Sequence, residues 1–143
     1  MDYKRQDVEL NQQTLILIKP DGIRRGLIGE IISRFEKRQL SIIDVMMIKL
    51  TREVATSLYS PHKEKPFFDE LVEFMTSHEC HVMILEKENA VEEWRNLMGT
   101  TDSQKAETGT IRNKYGTDVS MNATHGSDSN ENAIKEINFF FNG

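Results

Sequence analysis

The chain has 143 residues, a net charge of −5 and a sequence pI near 5.4. This length is enough to bury a substantial core and predicts a single domain spanning residues 1–143. Affinity for a nucleic-acid backbone comes from an excess of Lys and Arg, so the acidic balance argues against a nucleic-acid partner.

The chain has one cysteine and no apolar run of membrane-spanning length, and both features bear on its cellular location. Cys80 is the only cysteine, so an internal disulfide is excluded and a reducing compartment fits. No apolar run approaches the length of a membrane span, and the polar N-terminus lacks the apolar segment of a signal peptide. We therefore expect a cytoplasmic protein with no membrane partner.

The first strand follows a polar lead-in. Residues 1–11 have no periodicity, and we expect them to be mobile. The apolar run Thr14–Ile18 predicts a buried strand. It should end at Lys19-Pro20-Asp21-Gly22, because proline cannot extend a central strand and Asp-Gly favours a turn. On its position alone, Lys19 would extend into water as strand-end lysines usually do.

The next segment has its apolar residues at helical spacing: Leu27, Ile28, Ile31, Ile32 and Phe35. The glycines before it match neither the dinucleotide fingerprint nor the Walker pattern, and no Gly-Lys-Ser or Gly-Lys-Thr occurs in the chain. A nucleotide would therefore be bound without a P-loop.

A second strand is predicted at Ile42–Leu50 and a helix at Arg52–Tyr59. Pro66 should open another helix at its first position, where its missing N–H costs nothing. The apolar stripe of that helix is Phe67, Phe68, Leu71, Val72 and Met75. Core packing explains most of these side chains, although an exposed aromatic at a helix start can stack on a nucleobase.

The run His78-Glu79-Cys80-His81 raises the question of a metal site. Its spacing is not a zinc-ligand pattern. It leads into the predicted strand Val82–Leu85, and alternation would place His78 and Cys80 on one face and His81 on the other. We therefore predict no metal site among the protein side chains.

The C-terminal half contains two more helices and a long connection. Asn89–Met98 is predicted to be helical, with Arg95 near its end, and Asn130–Phe140 is predicted as the last helix, with Ile134 in its apolar stripe. Between them lie about twenty polar residues, with room for one short helix, and a short strand near Asn122. Loops this long are usually functional or disordered.

The order of elements predicts an α/β (α+β) fold in which helices cover a sheet. A four-stranded βαββαβ arrangement is the natural interpretation, and the pattern alone leaves a flavodoxin-like sheet open.

The stretch Asn122-Ala123-Thr124-His125-Gly126-Ser127-Asp128-Ser129 is the strongest functional feature. Imidazole can accept a phosphoryl or acyl group and pass it on, and the glycine after it leaves room for a bulky substrate. Glu136 follows on the last helix and could select the tautomer. Helix capping, with Asp128 or Ser129 as the cap and Glu131 completing a capping box, explains those residues but not His-Gly.

Phosphoryl transfer suits the other polar candidates. Lys19, Arg95 and Arg112 are cations on separate segments that could gather around a transferring phosphoryl group. Arginine suits this task because its planar fork binds two oxygens. The hydroxyls of Tyr59 and Thr101 could complete the set.

These motifs resemble the nucleoside diphosphate kinase family over nearly the whole chain, from Thr14 to about Phe141. The resemblance implies that His125 carries the phosphoryl group and that Glu136 orients it with help from Ser127. Lys19 and Tyr59 complete the implied catalytic set. The implied nucleotide-binding residues are Lys19, Phe67, Leu71, Arg95, Thr101, Arg112, Val119 and Asn122, with Phe67 stacking on the base.

The same resemblance implies a ferredoxin-like fold and ping-pong transfer from ATP to a nucleoside diphosphate. It implies Mg²⁺ as cofactor, held mainly by the nucleotide phosphates, and indifference to the identity of the base. It also implies a homo-oligomer assembled from dimers, either a tetramer or a hexamer.

Two departures from the family pattern concern the long loop and the third strand. Asn113-Lys114 stands where Gly-Asp is usual, and His78-Glu79 where Gly-Pro is usual. Neither removes a catalytic group. A non-enzymatic nucleotide-binding relative and an acidic interaction module are the competing classes. The first would not require every catalytic position to be filled, and the second predicts nothing about His125.

Overall fold

A computed structural model of the chain describes residues 11–100, 102–116 and 123–142. Its sheet has four antiparallel strands: β1 (Gln12–Ile18), β2 (Ser41–Ile48), β3 (Cys80–Lys87) and β4 (Thr124–Gly126). They lie in the order β2-β3-β1-β4. This arrangement confirms the ferredoxin-like prediction and excludes a flavodoxin-like parallel sheet for this part of the chain.

The described residues form seven α-helices. They are α1 (Pro20–Arg24), α2 (Ile28–Lys37), α3 (Arg52–Leu58), α4 (Phe68–Met75), α5 (Ala90–Met98), α6 (Ile111–Tyr115) and α7 (Asn130–Ile137). Short 3₁₀ turns occupy Ser60–His62 and Ser103–Lys105, and a π-helical turn, Asn138–Asn142, follows α7. In residues 102–116, the described part of the long connection, α6 is the one α-helix, as the sequence suggested.

β1 is central and buried on both faces, which explains its nearly continuous apolar sequence. Leu15 and Leu17 contribute to a core under α3, α4 and α7, whereas Ile16 and Ile18 contribute to a second core under α2, α5 and α6. In the second core the Trp94 ring meets the Phe35 ring edge-on, with the centroids 6.2 Å apart. The two cores hold the end of β1 between two helical layers.

The strand register places the histidine motif beside that end. Leu17 lies opposite Val82 of β3 on one side and opposite His125 of β4 on the other. β4 is three residues long and forms one edge of the sheet. His125 therefore lies at the sheet edge, next to the last residues of β1.

Two predictions about where helices begin were wrong. The expected turn after β1 is the helix α1, because Pro20 occupies the first helical position and the Ile23 N–H donates to the Lys19 carbonyl. Pro66 does not open α4. The Phe68 N–H donates to the Lys65 carbonyl at 3.1 Å, closing a turn before the helix begins.

The last helix also differs in detail from its prediction. Ser129, rather than a box of Asp128 and Glu131, caps α7, since its hydroxyl accepts the Asn132 N–H at 3.1 Å. Ile134, expected in the apolar stripe, is 54% exposed. The stripe is therefore narrower than the spacing indicated.

Candidate active site

A cleft of about 730 Å³ opens beside the end of β1 and contains most of the predicted site residues. Eight of them line it: Lys19, Tyr59, Phe67, Leu71, Arg95, Arg112, His125 and Glu136. Ser127 is buried and hydrogen-bonded to Glu136. The predictions for Thr101, Val119 and Asn122 lie outside the described residues. Segments far apart in sequence thus converge on one cavity.

The carboxylate of Glu136 contacts the ring of His125. Oε1 of Glu136 lies 3.2 Å from Nε2 of His125 and accepts a second hydrogen bond, at 2.9 Å, from the Ser127 hydroxyl. Both partners are largely buried, at 15% and 17% side-chain exposure. Since a proton on Nε2 is donated to this carboxylate, the lone pair of the neutral ring lies on Nδ1.

Tyr59 and Lys19 form the wall beside the histidine. The Tyr59 ring meets the His125 ring edge-on at 5.4 Å, and Nζ of Lys19 lies 5.6 Å from the centroid of the Tyr59 ring. Lys19 is only 2% exposed, so the expectation from position alone, a solvated lysine, was wrong. Burial raises the pKa of Tyr59 well above its usual range, which keeps the hydroxyl protonated as a donor.

Arg112 is held by two backbone carbonyls. Nη1 donates to Gly99 at 3.2 Å, and Nη2 donates to Thr124, the residue before the histidine, at 2.8 Å. Burial lowers the pKa of Arg112 to about 10, so the guanidinium remains charged at neutral pH. Arg95 is exposed at the C-terminal end of α5. Together with Lys19 these side chains make the cleft cationic within an acidic protein.

Comparison with known proteins identifies the group to which this arrangement belongs. The sequence model of the family described as nucleoside diphosphate kinase matches residues 12–143. The chain belongs to this family. The nucleoside diphosphate kinase of Staphylothermus marinus is 52% identical over 130 residues, covering 91% of this chain and 92% of the relative.

Solved structures agree with the family assignment. The crystal structure of the Encephalitozoon cuniculi nucleoside diphosphate kinase superposes with a TM-score of 0.90 at 42% identity, covering 92% of this chain and 90% of the other. The Halobacterium salinarum enzyme, solved in complex with CDP, gives a TM-score of 0.88 at 41% identity, covering 93% and 89%.

Membership of the nucleoside diphosphate kinase family makes this chain a phosphotransferase. Its reaction moves the γ-phosphoryl group of ATP or another nucleoside triphosphate to a nucleoside diphosphate. The family mechanism is ping-pong, through a phosphorylated histidine, and it supports the synthesis of NTPs and dNTPs.

Sequence reasoning missed His62, which lines the kinase cleft between two predicted residues. Its ring centroid lies 5.8 Å from that of Phe67 and 6.4 Å from that of Tyr59. Its Nδ1 is buried with no hydrogen-bond partner among the described residues, and burial lowers its pKa. The sequence feature that could have indicated His62 as a cleft residue is its position three residues after Tyr59, about one helical turn further along the chain.

Further lining residues that were not predicted come from α5, from α7 and from the segments on either side of α7: Met98, Asp128, Asn132, Lys135 and Phe139. Phe139 reaches the cleft from the π-helical turn after α7, which departs from the α-helical spacing used to predict the stripe.

Gly126 has a packing role that the sequence did not indicate. A Cβ at this position would lie 2.3 Å from two atoms of the Trp94 ring. The residue after the histidine must therefore lack a side chain for β4 to approach α5.

The family departure at Asn113 supplies local contacts. Its Oδ1 accepts the Gly109 N–H at 3.3 Å, and its Nδ2 donates to the Ala106 carbonyl at 3.1 Å. At the other departure, Nδ1 of His78 lies 3.4 Å from Nη2 of Arg24. Asn113 is thus hydrogen-bonded to the segment that precedes α6, the helix that contains Arg112.

Two further observations concern metals and membranes. Within residues 11–100, 102–116 and 123–142, no three His, Cys, Asp or Glu side chains are grouped so that they could hold a metal ion. None of the helices in those same ranges is long and apolar enough to cross a membrane.

Proposed function

We propose that His125 is the residue phosphorylated in the kinase reaction. The contact between its Nε2 and Glu136, inside a cleft lined by Lys19, Arg95 and Arg112, is the observation that supports this role. Nδ1 attacks the γ-phosphorus of a nucleoside triphosphate, the bond from that phosphorus to the β–γ bridging oxygen breaks, and the diphosphate leaves. Glu136 stabilises the positive charge that the ring acquires.

The second half-reaction reverses the chemistry with another nucleotide. A terminal oxygen of a nucleoside diphosphate attacks the phosphorus on His125, the P–N bond breaks, and the neutral imidazole is restored. One site serves both nucleotides, so the enzyme alternates between free and phosphorylated forms.

Lys19, Arg95 and Arg112 stabilise the charge that spreads over the phosphoryl oxygens in both steps. The buried Tyr59 hydroxyl and Nε of Arg112 support this assignment, because neither has a hydrogen-bond partner among the described residues and both residues border the cleft. We assign Thr101 a phosphate contact on the family resemblance.

Phe67 and Leu71 form the base-binding wall, with Phe67 stacking on the base. Stacking tolerates any base, because every base has a π-face, and the relative solved with CDP holds a pyrimidine nucleotide. Val119 and Asn122 are assigned to the base and ribose on the family resemblance.

Mg²⁺ enters as part of the substrate, coordinated by the phosphates of the nucleotide. The cleft suits that form, because its cations bind phosphate oxygens and the Glu136 carboxylate is already engaged by His125 and Ser127. When bound with the nucleotide, the metal would supply further positive charge for phosphoryl transfer.

We propose that the enzyme is one domain, is cytoplasmic, and forms a homo-oligomer from dimers, either a tetramer or a hexamer. The outer edge of β2 supports dimerisation. Ile42, Ile43, Val45 and Met47 are between 38% and 48% exposed on this edge strand. An exposed apolar edge strand is a template for pairing with a second chain.

Intact mass spectrometry after incubation with ATP and Mg²⁺ tests the role of His125. We expect one phosphoryl group per chain that is acid-labile, is removed by GDP as GTP forms, and is absent from His125→Ala. If ATP binds but neither the adduct nor GTP forms, the chain is a nucleotide-binding relative without turnover.

A further inference from the structure

We infer that Asp21 is a positioning residue for phosphoryl transfer, because its carboxylate fixes the left-handed backbone at Ala123 from which β4 presents His125. This inference rests on the proposed role of His125. Asp21 does not line the cleft, and the contact by which we infer that it acts is the one with the backbone of Ala123.

Ala123 has an unusual conformation for its residue type. Its φ is +72°, in the left-handed region, and it is fully buried. The side chain of an L-residue disfavours this region by roughly tenfold in population relative to glycine. Such conformations persist where surrounding contacts over-determine them, and they cluster at functional sites.

Three features of the β1–α1 junction hold Ala123 in place. The Ala123 N–H donates to Oδ2 of Asp21 at 3.0 Å, and its carbonyl accepts the Lys19 N–H at 2.8 Å. Gly22 allows the close approach, because a Cβ there would lie 2.9 Å from the Ala123 oxygen. The Asp21 hydrogen bond is the only one of the three that a side chain supplies.

The clamped residue is directly connected to two groups of the proposed machinery. The carbonyl of Thr124, the next residue, accepts a hydrogen bond from Nη2 of Arg112 at 2.8 Å, and His125 follows it. A rotation at Ala123 would therefore displace the nucleophile and a phosphate-binding guanidinium together. Misplacement of reacting groups by about 1 Å can cost on the order of a hundredfold in rate.

Burial of the Asp21 carboxylate costs free energy of folding. Asp21 is 8% exposed, and its Oδ1 has no hydrogen-bond partner among the described residues. Burial raises its pKa, while the nearby Lys19 ammonium acts in the opposite direction. The carboxylate could therefore act through its hydrogen bond to Ala123 or through its charge on Lys19, and the test must separate the two.

The test compares Asp21→Ala, Asp21→Asn and Glu36→Ala, where Glu36 is an exposed carboxylate on α2 outside the cleft. Single-turnover phosphorylation is measured over a range of ATP concentrations up to saturation, on variants shown to be folded by circular dichroism. We expect Asp21→Ala to lose at least about tenfold in rate with KM changed less than about threefold. Asp21→Asn keeps an acceptor for the Ala123 N–H and should stay within about threefold of the unmodified chain, as should Glu36→Ala.

A double-mutant cycle with Ala123→Gly isolates the backbone effect. Glycine adopts positive φ without penalty, so removing Asp21 should cost less than about threefold when Ala123→Gly is already present. If Asp21→Ala does not fold, recovery of the fold in the variant that also carries Ala123→Gly is the corresponding result, and a double variant that still does not fold overturns the inference.

The inference is overturned if Asp21→Ala keeps its rate, if Asp21→Asn loses as much as Asp21→Ala, or if the cost is the same with and without Ala123→Gly. If the unmodified chain forms no phosphohistidine, the proposed function fails instead.

Discussion

At the scale of single residues, Oε1 of Glu136 contacts Nε2 of His125, and we propose that this contact leaves Nδ1 as the reacting nitrogen. We expect Glu136→Ala to lower kcat about 10- to 100-fold with KM nearly unchanged, because the ring loses its orienting acceptor while the nucleotide contacts remain. A coupled assay with saturating ATP measures kcat, and a titration of the acceptor measures KM.

Glu131→Ala is the matched control for that variant, since Glu131 is an exposed carboxylate on the same helix, α7. Its kcat should equal that of the unmodified chain. A Glu136→Ala enzyme with unchanged kcat and a raised KM would show that Glu136 binds substrate rather than orienting the histidine.

The lone cysteine should be inert in the folded protein. Cys80 is fully buried, and burial raises its pKa to about 12, so about one thiol in ten thousand is ionised at a pH of about 8. We expect no reaction with a thiol-specific disulfide reagent at that pH until urea unfolds the chain. Rapid labelling of the folded protein would contradict the burial of this side chain.

At the scale of the elements, the approach of β4 to α5 depends on Gly126. An added methyl group would overlap the buried Trp94 ring, so Gly126→Ala should destabilise the fold by about 1–3 kcal/mol. Thermal unfolding followed by circular dichroism should show Tm lowered by roughly 3–10 °C.

Gly29→Ala provides the opposite control. Gly29 is exposed in α2, and a Cβ there would meet no atom within 4 Å. Because alanine has the higher helix propensity, we expect a gain of up to about 1 kcal/mol. Equal losses from the two substitutions would mean that the Trp94 contact does not decide the effect.

The elements themselves were largely predictable from the chain. The helix predicted at Asn89–Met98 is α5, and its apolar residues Val91, Trp94 and Met98 are buried at helical spacing, since periodicity reports one-sided burial directly. Predictions failed at junctions, such as Pro66 and the helix α1. There the choice among turn, cap and helix depends on single hydrogen bonds that residue type alone does not specify.

For the whole molecule, the exposed apolar edge of β2 is the feature that bears on assembly. Val45 and Met47 are each 47% exposed, and they lie opposite Met83 and His81 of β3. We expect the double variant Val45→Lys, Met47→Lys to sediment as a smaller species than the unmodified oligomer, because charge opposes edge-to-edge pairing.

Analytical ultracentrifugation at several concentrations measures this change. Ile134→Lys replaces a similarly exposed apolar residue on α7 and should leave the mass of the assembly unchanged. An unmodified chain that is monomeric throughout, or a β2 variant of unaltered mass, would show that another surface makes the dimer or that none does.

The sequence predicted which residues form the candidate site, but it did not predict how they are arranged in space. The motif around His125 and the cations of the chain indicated phosphoryl transfer, and eight predicted residues line one cleft. His62 and Phe139 were missed, because nothing in their local sequence distinguishes a side chain facing a cavity from one facing solvent or core.

The sequence by itself determined the types of most elements, the burial of β1 on both faces and the chemical groups available for catalysis, because these follow from local composition and spacing. Tertiary structure alone decided that Lys19 is buried, that Gly126 makes room for Trp94, and that Asp21 binds the backbone of Ala123, 102 residues away. Each of these features depends on segments distant in sequence. Local periodicity carries no information about them, since they form only when both cores pack around the sheet.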